Sequence, residues 1–500
     1  FTWKFSEADS LNLQVFSQRH NFNNRQVSDP QRLQGTALVS VDDLQVNHGH
    51  WQMQRANLQW QSKWSNGARI DVKLGGQASR SVFHADSDVE DGLGNFLLAR
   101  STQGENRELS QTTGGKFTKP LGDAHTLALG WDVEHKRRRE SRTVLENGIE
   151  QIAGFDGQPF DADLVRTALF VQDEWEISPR WSTYLGLRAE RIAITSGGVG
   201  AEVRNTSQVV TPIWHINHKL TAAGRDLVRA SITRSYKAPE LNQLLARPTR
   251  NGNYPANVSN VEISPDYVGN PALKPELATG LDLAFEKYLP QGGVLSVGGF
   301  HRRINGLIRG QVTLVPSVPW ASVPRYVSMP VNLAQARSTG IETELKGQAT
   351  ELLPAGLAVK GLSLRASASL YRSSVDGLPG PDNRLEQQQP WAATFGFDQV
   401  LGPALGGPPL TVGASLALTP GYRIQQTASQ GLTNTRIRNL DAYALWALSR
   451  QATVRVAVNN LLADDNRSLT ELLSTGGTVD STRLTRGNRR SFQAGVSVKF

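Results

Sequence analysis

Ser491-Phe492-Gln493-Ala494-Gly495-Val496-Ser497-Val498-Lys499-Phe500 is the stretch whose reading decides the fold. Phe492, Ala494, Val496, Val498 and Phe500 are apolar, and the residues between them are small or polar. That period of two belongs to a β-strand with two different faces. A terminal Phe needs an apolar surround. A soluble sandwich supplies one in its core. A bilayer supplies one too, with the apolar face toward lipid and the polar face toward a barrel lumen.

Composition narrows the choice. A chain of 500 residues normally divides into several soluble domains, and a single large barrel is the main exception. Hydrophobic residues make up 39%, and no window approaches the ~18 apolar residues of a membrane helix. Alternating strands escape that test because each gives only half its residues to lipid. The 46 Gly, with frequent Thr, Ser, Val and Leu, suit short turns and strands. With no Cys, there is no disulfide framework, thiolate metal site or Cys nucleophile. Lys+Arg (53) exceed Asp+Glu (45), a net +8 that favours an anionic partner. The charges are spread through strands and form no basic stripe, so nucleic acid is not expected.

Two-faced segments recur along the chain, separated alternately by short and long links. His50–Trp64 and Ala68–Phe83 meet at Ser65-Asn66-Gly67, a tight hairpin signal. Asp163–Ile177 and Trp181–Ile194 meet at Ser178-Pro179-Arg180, bracketed by Trp175 and Trp181 where an aromatic girdle would lie. Longer links are expected up to Gly49, up to Gly104, up to Ala162 and over Lys237–Glu276. The count is about 19 strands. A fixed repeat period and a blade motif are both absent, which argues against a solenoid and a propeller. Short turns on one side and long loops on the other define a transmembrane antiparallel β-barrel. Alternation puts Arg166, Arg188, Arg229, Arg365 and Arg455 on its lumen face.

Several segments then resemble the TonB-dependent outer-membrane receptors, in order over nearly the whole chain. Gly269-Asn270-Pro271-Ala272-Leu273-Lys274-Pro275-Glu276 is similar to the family's NPxLKPE segment, and Val331 to Glu342 to its N-x-x-x-A-x-x-x-G-x-E strand. Ser235-Tyr236-Lys237-Ala238-Pro239, Phe170 to Trp175, Asn459-Asn460-Leu461-Leu462 and the terminal Phe500 also resemble family features. The resemblance implies a barrel of about 22 strands closed by an N-terminal plug. It also implies multi-pass placement in the bacterial outer membrane, as a monomer. The plug would contact the TonB complex, and Phe492, Val496, Val498 and Phe500 would form the strand read by the membrane-assembly machinery. Plug and first strands are expected upstream of Phe1, so this chain is read as the barrel domain, incomplete at its N-terminus.

The expected activity is transport of a scarce nutrient, most simply a ferric siderophore, without covalent chemistry or a resident cofactor. A passive porin-like channel and a non-transporting surface receptor are the alternatives. Within Lys237–Glu276, Arg247 and Arg250 can pair with carboxylates, and Tyr254 and Tyr267 can stack on catecholate-like rings. The bland alternative is local packing within a solvated loop. Lys136, Arg137, Arg138 and Arg139 form a rim patch suited to lipopolysaccharide phosphates, or simply to water. His48 and His50 lack a clustered third ligand in sequence. Asp86, Asp88, Glu90 and Asp91 miss the calcium-loop pattern at Gly92 and Leu97, so no metal site is expected. Motifs that assemble a nucleophile and a base are absent.

Overall fold

The computed structural model describes residues 1–28, 31–34, 37–199, 202–222, 224–245, 247–252, 254, 256–333, 335–402, 409–474 and 477–498. One antiparallel sheet contains 25 strands. Six of them are short outer pieces: Gln31–Gln34, Ile149–Glu150, Tyr422–Gln425, Gln430–Asn434, Asn466–Ser474 and Gly477–Arg486. The remaining 19 are the wall, running in chain order from Thr2–Lys4, Asp9–Ser28 and Ala37–Lys63 round to Ala452–Asn459 and Ser491–Val498. The expected count is therefore met.

The short turns form for local reasons. At Ser65-Asn66-Gly67 the Asn66 side chain accepts the Ala68 amide at 3.1 Å, and Gly67 takes φ 79°, open to glycine at little cost. Ser178 Oγ accepts the amides of Arg180 and Trp181 at 3.3 and 3.2 Å, and Ser449 Oγ accepts those of Gln451 and Ala452 at 3.1 and 3.0 Å. Each serine closes its hairpin by doing the work of a backbone acceptor.

Several expected links are strand instead. Arg69–Asp91 and Phe96–Leu121 pair almost to their ends and close at Asp91, whose carboxylate accepts the Leu93 and Asn95 amides. Asp9–Ser28 likewise pairs with Ala37–Lys63 as far as Ser28 opposite Asp43. The links read up to Gly49 and Gly104 are thus continuations of the wall. At roughly 3.4 Å per residue and ~40° tilt, a strand as long as Ala37–Lys63 rises about 70 Å, far above an apolar band of ~25 Å. Polar composition in these stretches reflects water on both faces, not the absence of strand.

Register separates the faces. Leu11 stands opposite Trp60 and Trp60 opposite Val72; Leu13, Leu58 and Leu74 form the next row. These residues point outward with Leu169, Leu185, Ile232, Leu281, Ile341 and Leu370, an exposed apolar belt. Trp64, Trp175, Trp181 and Trp446, all exposed, sit beside short turns as the girdle. Phe492, Val496 and Val498 continue that belt opposite Val458, Val454 and Ala452. Phe500 lies outside the described residues.

The opposite face carries charge. Arg166 reaches Glu134 at 2.9 Å, Arg188 reaches Asp132 and Glu190 at 2.5 and 2.7 Å, Arg229 reaches Glu286 at 3.2 Å, and Arg365 reaches Asp398 at 2.5 Å. Arg455 lies over Tyr443, 5.2 Å from its centroid. All five arginines expected in the lumen are there, and four hold carboxylates.

Buried apolar residues cluster at the outer rim. Ile192 and Ile194 continue the lumen face above Arg188 and Glu190 and receive Leu244 and Leu273 from the long loop. A second cluster joins Leu307, Ala336 and Val375. The lumen face thus changes from polar to apolar where loops must be held.

Candidate functional site

The outer mouth is built from three pieces of chain above the wall. Strands Ile308–Val315 and Arg325–Asn332 pair antiparallel, and Asp266–Tyr267 adds to the latter in parallel. This small sheet ties the long loop to the hairpin 305–335. The chain leaves the wall at Asn305 and returns at Gln335, so Ile308-Arg309 and Val331 belong to the mouth and not to the wall.

The motif residues explain the attachment. Asn205 donates to the carbonyls of Pro271 and Leu273 at 2.8 and 2.6 Å, and Asn270 donates to Pro330 O at 2.9 Å. Asn332 accepts the Lys274 amide and donates to the carbonyls of Lys274 and Gly306, each at 2.8 Å. Glu276 accepts the Ile308 amide at 2.8 Å. Two segments that are remote in sequence therefore lock each other at the rim.

At the centre lies a fully buried ion pair. Arg325 donates to both oxygens of Asp266 at 2.8 and 2.7 Å, with neither side chain exposed. Asp266 also accepts from Trp320 Nε1 at 2.7 Å and from the Asn251 amide at 2.8 Å. Arg325 further donates to the carbonyls of Val258 and Tyr254. A bidentate pair with its remaining donors used is the arrangement that makes burial tolerable.

The structure places the expected ligand residues beside this clasp. Arg250 is buried, donating to Gln151 O at 3.1 Å and to Glu146, a carboxylate shared with Arg100. Arg247, 7% exposed, donates to Arg142 O at 2.6 Å and lies 5.1 Å from the Phe160 centroid. Burial pushes its guanidinium pKa down, and the neighbouring Arg142 charge adds to that, against Glu140 and Asp156. Tyr254 is buried with its ring 6.0 Å from Arg325. Tyr267 is half-buried and bridges Thr249; burial, then the Glu240 charge, pushes its hydroxyl up. These side chains brace the loops against Arg142–Asp156 and the wall. Sequence reading missed Asp266, Arg325, Glu146 and Arg100. Nothing in their spacing marks them, because the partners lie on different loops.

Below the loops, the lumen wall holds a recess of about 550 Å³ that includes Asp71, Lys73, Lys116, Asp132, Tyr184 and Arg188. Tyr184 is fixed by its bond to Gln172 at 2.7 Å. The recess offers donors and acceptors on a rigid frame.

The rim patch divides by alternation. Lys136 and Arg138 turn inward to Glu108 and Glu140, at 2.9 and 2.8 Å. Arg137 and Arg139 turn outward, beside Asp163 and Asp161. The four-residue run is therefore not one surface patch. Asp86, Asp88 and Glu90 stand two apart along one exposed strand face, not in a loop. His48 packs against His84, with ring centroids 4.8 Å apart and planes tilted by 52°, and not with His50. Among the described residues, no group of three His, Cys, Asp or Glu could hold a metal ion.

An apolar belt, Trp girdle, charged lumen and loop-capped mouth define a membrane-spanning β-barrel of the outer-membrane receptor type. Comparison with known proteins makes this specific: residues 2–461 match the TonB dependent receptor-like, beta-barrel family model, and the chain belongs to that family. Its members are transporters rather than enzymes, and what they bind is cargo rather than a resident cofactor. Similar solved structures include the ferric yersiniabactin uptake receptor FyuA from Yersinia pestis, 11% identical, TM-score 0.55, covering 99% of this chain and 79% of that one. The ferric enterobactin receptor PfeA from Pseudomonas aeruginosa is 13% identical, TM-score 0.56, over 99% and 77%. The copper transporter OprC is 13% identical, TM-score 0.58, over 98% and 80%. At such identities the likeness is one of fold. No curated protein matches the sequence.

Proposed function

We propose that this barrel takes up an anionic metal chelate, a ferric siderophore being the leading candidate. The observation that carries the reading is the mouth: three loops cross-braced through Asp266–Arg325 and Glu146–Arg250 hold a fixed frame over a lumen ringed with arginine. Such a frame limits the ordering cost of binding. Arg247, Arg250 and Tyr254 act in this reading by shaping the loops, with Tyr267 the most accessible of the four. Receptors for ferric yersiniabactin and enterobactin share the fold, which supports the iron reading, while the copper transporter shares it equally well.

The wall itself supports a further part of the proposal. Thr2–Lys4 and Ser491–Val498 are the first and last strands of the wall, and among the described residues they do not pair with each other, although Gln31–Gln34 pairs with Gly477–Arg486 above them. Unpaired backbone groups cannot face hydrocarbon. We therefore infer that further strands of the same protein complete the barrel, with a plug and TonB-contacting segment outside these 500 residues.

The test is uptake by iron-starved cells carrying the complete gene, supplied with a panel of labelled ferric siderophores and a copper chelate. TonB-dependent accumulation of a ferric chelate is expected. Copper-only uptake would replace the cargo assignment. A large constant conductance with TonB-independent leakage would replace the mechanism with passive diffusion.

A further inference from the structure

The outward face carries charge that neither transport nor the lumen accounts for. Register aligns Arg19, Gln52, Arg80, Arg107, Arg139 and Asp161 across six adjacent strands, each directly opposite the next. They stand on the same face as Leu58, Trp60 and Leu74. Arg107 and Arg139 are 61% exposed and Arg80 is 44% exposed. Glu105 sits between Arg80 and Arg107, 2.6 Å from each, and Asp161 lies 3.8 Å from Arg139. Arg137, one row lower, is held by Asp163.

A second row stands elsewhere on the wall, where Arg234 lies opposite Thr279, Thr279 opposite Arg303, and Arg303 opposite Arg337. All three arginines are exposed, on the face of Ile232, Leu281 and Ile341. Arg303 donates to Gln335 at 2.8 Å, and among the described residues neither Arg303 nor Arg337 has a carboxylate partner. Like charges directly opposite on a sheet repel, so Arg303–Arg337 is a cost to the isolated barrel, while Glu105 and Asp161 leave the Arg80–Arg107–Arg139 row with positive charge in excess. Counter-charge from outside would remove it.

Height identifies the source of that counter-charge. From Ile70, at the base of the apolar belt, to Arg80 is about 34 Å of strand, or roughly 26 Å along the membrane normal at ~40° tilt. From Leu295 to Arg303 the same conversion gives about 21 Å. Arg80 thus stands at the top edge of an apolar band of ~25 Å and Arg303 a few ångströms inside it, from where their long side chains reach up to the headgroups of the outer leaflet. Guanidinium forks suit phosphate, and a line of them suits a lipid bearing more than one phosphate.

We propose that the two arginine rows, Arg80–Arg107–Arg139 and Arg303–Arg337, bind phosphates of outer-leaflet lipid and fix the barrel's height in the membrane. The inference rests on the membrane placement and not on the cargo. Of the rim run read from sequence, only Arg139 belongs to it.

The test uses the complete protein purified in detergent, with bis-phosphorylated lipid A, its dephosphorylated form and inorganic phosphate as probes. Native mass spectrometry is expected to show phosphorylated lipid A retained, at least tenfold in preference to the dephosphorylated form. R80Q/R107Q/R139Q and R303Q/R337Q should each lower retention, by about threefold per arginine removed. R450Q, in the exposed short turn 449–451 at the opposite end of the wall, should leave lipid retention unchanged. Heat-modifiable gel mobility reports folding, and chelate uptake is scored separately, so a failed cargo assignment leaves the result readable. Equal retention by the folded variants, or equal binding of dephosphorylated lipid, would overturn the proposal. So would millimolar inorganic phosphate displacing the lipid, because the rows would then be soluble-anion sites.

Discussion

Asp266 is the residue on which the mouth turns. It accepts bonds from Arg325, Trp320 and the Asn251 backbone, so its removal strands a buried guanidinium as well as breaking a contact. Asp266→Ala is expected to cost the loop assembly about 3–5 kcal/mol. Hydrogen exchange should then rise over 254–268 and 320–328, while gel mobility of the folded wall stays unchanged. Equal loss of protection in the wall would show that the clasp serves the whole fold instead. Glu146, shared by Arg100 and Arg250, makes a second case. Glu146→Gln should loosen 142–158 to proteolysis and weaken chelate binding about tenfold if the loops act as one frame. None of this was legible beforehand. The sequence shows an Asp and an Arg 59 positions apart, and only the fold brings them together without water.

At the scale of the element, the strands were the most readable part of the chain. The alternation in Ser491–Val498 gives the same outward face that register against Ala452–Asn459 confirms. Phe492→Lys on that face, about 10 Å above the girdle row Trp446–Val454–Val496 and so near the midplane, is expected to destabilise insertion by about 2–4 kcal/mol. Gln493→Lys, on the lumen face, should insert normally; assembly in vesicles, read by gel mobility, separates the two. Strand length was read less well. Above the bilayer both faces of Arg69–Asp91 and Phe96–Leu121 are wet, the contrast between them fades, and a strand looks like a loop. The Lys136–Arg139 run failed for a related reason. Adjacent residues on a strand point oppositely, so a contiguous charge run is two half-patches, and the outward arginine rows appear only when neighbouring strands are laid side by side.

At the scale of the molecule, the wall's odd strand number makes its first and last strands run the same way, so the edges cannot close as an antiparallel pair. Above the wall, Gln31–Gln34 does pair with the strand Gly477–Arg486. Residues 1–500 expressed alone should therefore show poor protection from exchange along Ser491–Val498, and the complete gene product should show protection there. Equal exchange in both would refute completion by added strands. The sequence by itself determined the class of fold, the inward and outward faces, the lumen arginines and the family. Each follows from local alternation or a contiguous motif, which the chain carries wherever it is placed. Only the tertiary structure decided which charges are buried, which loops brace which, and which arginines share a row. Those depend on register between strands distant in sequence, set by hydrogen bonds that no single strand encodes.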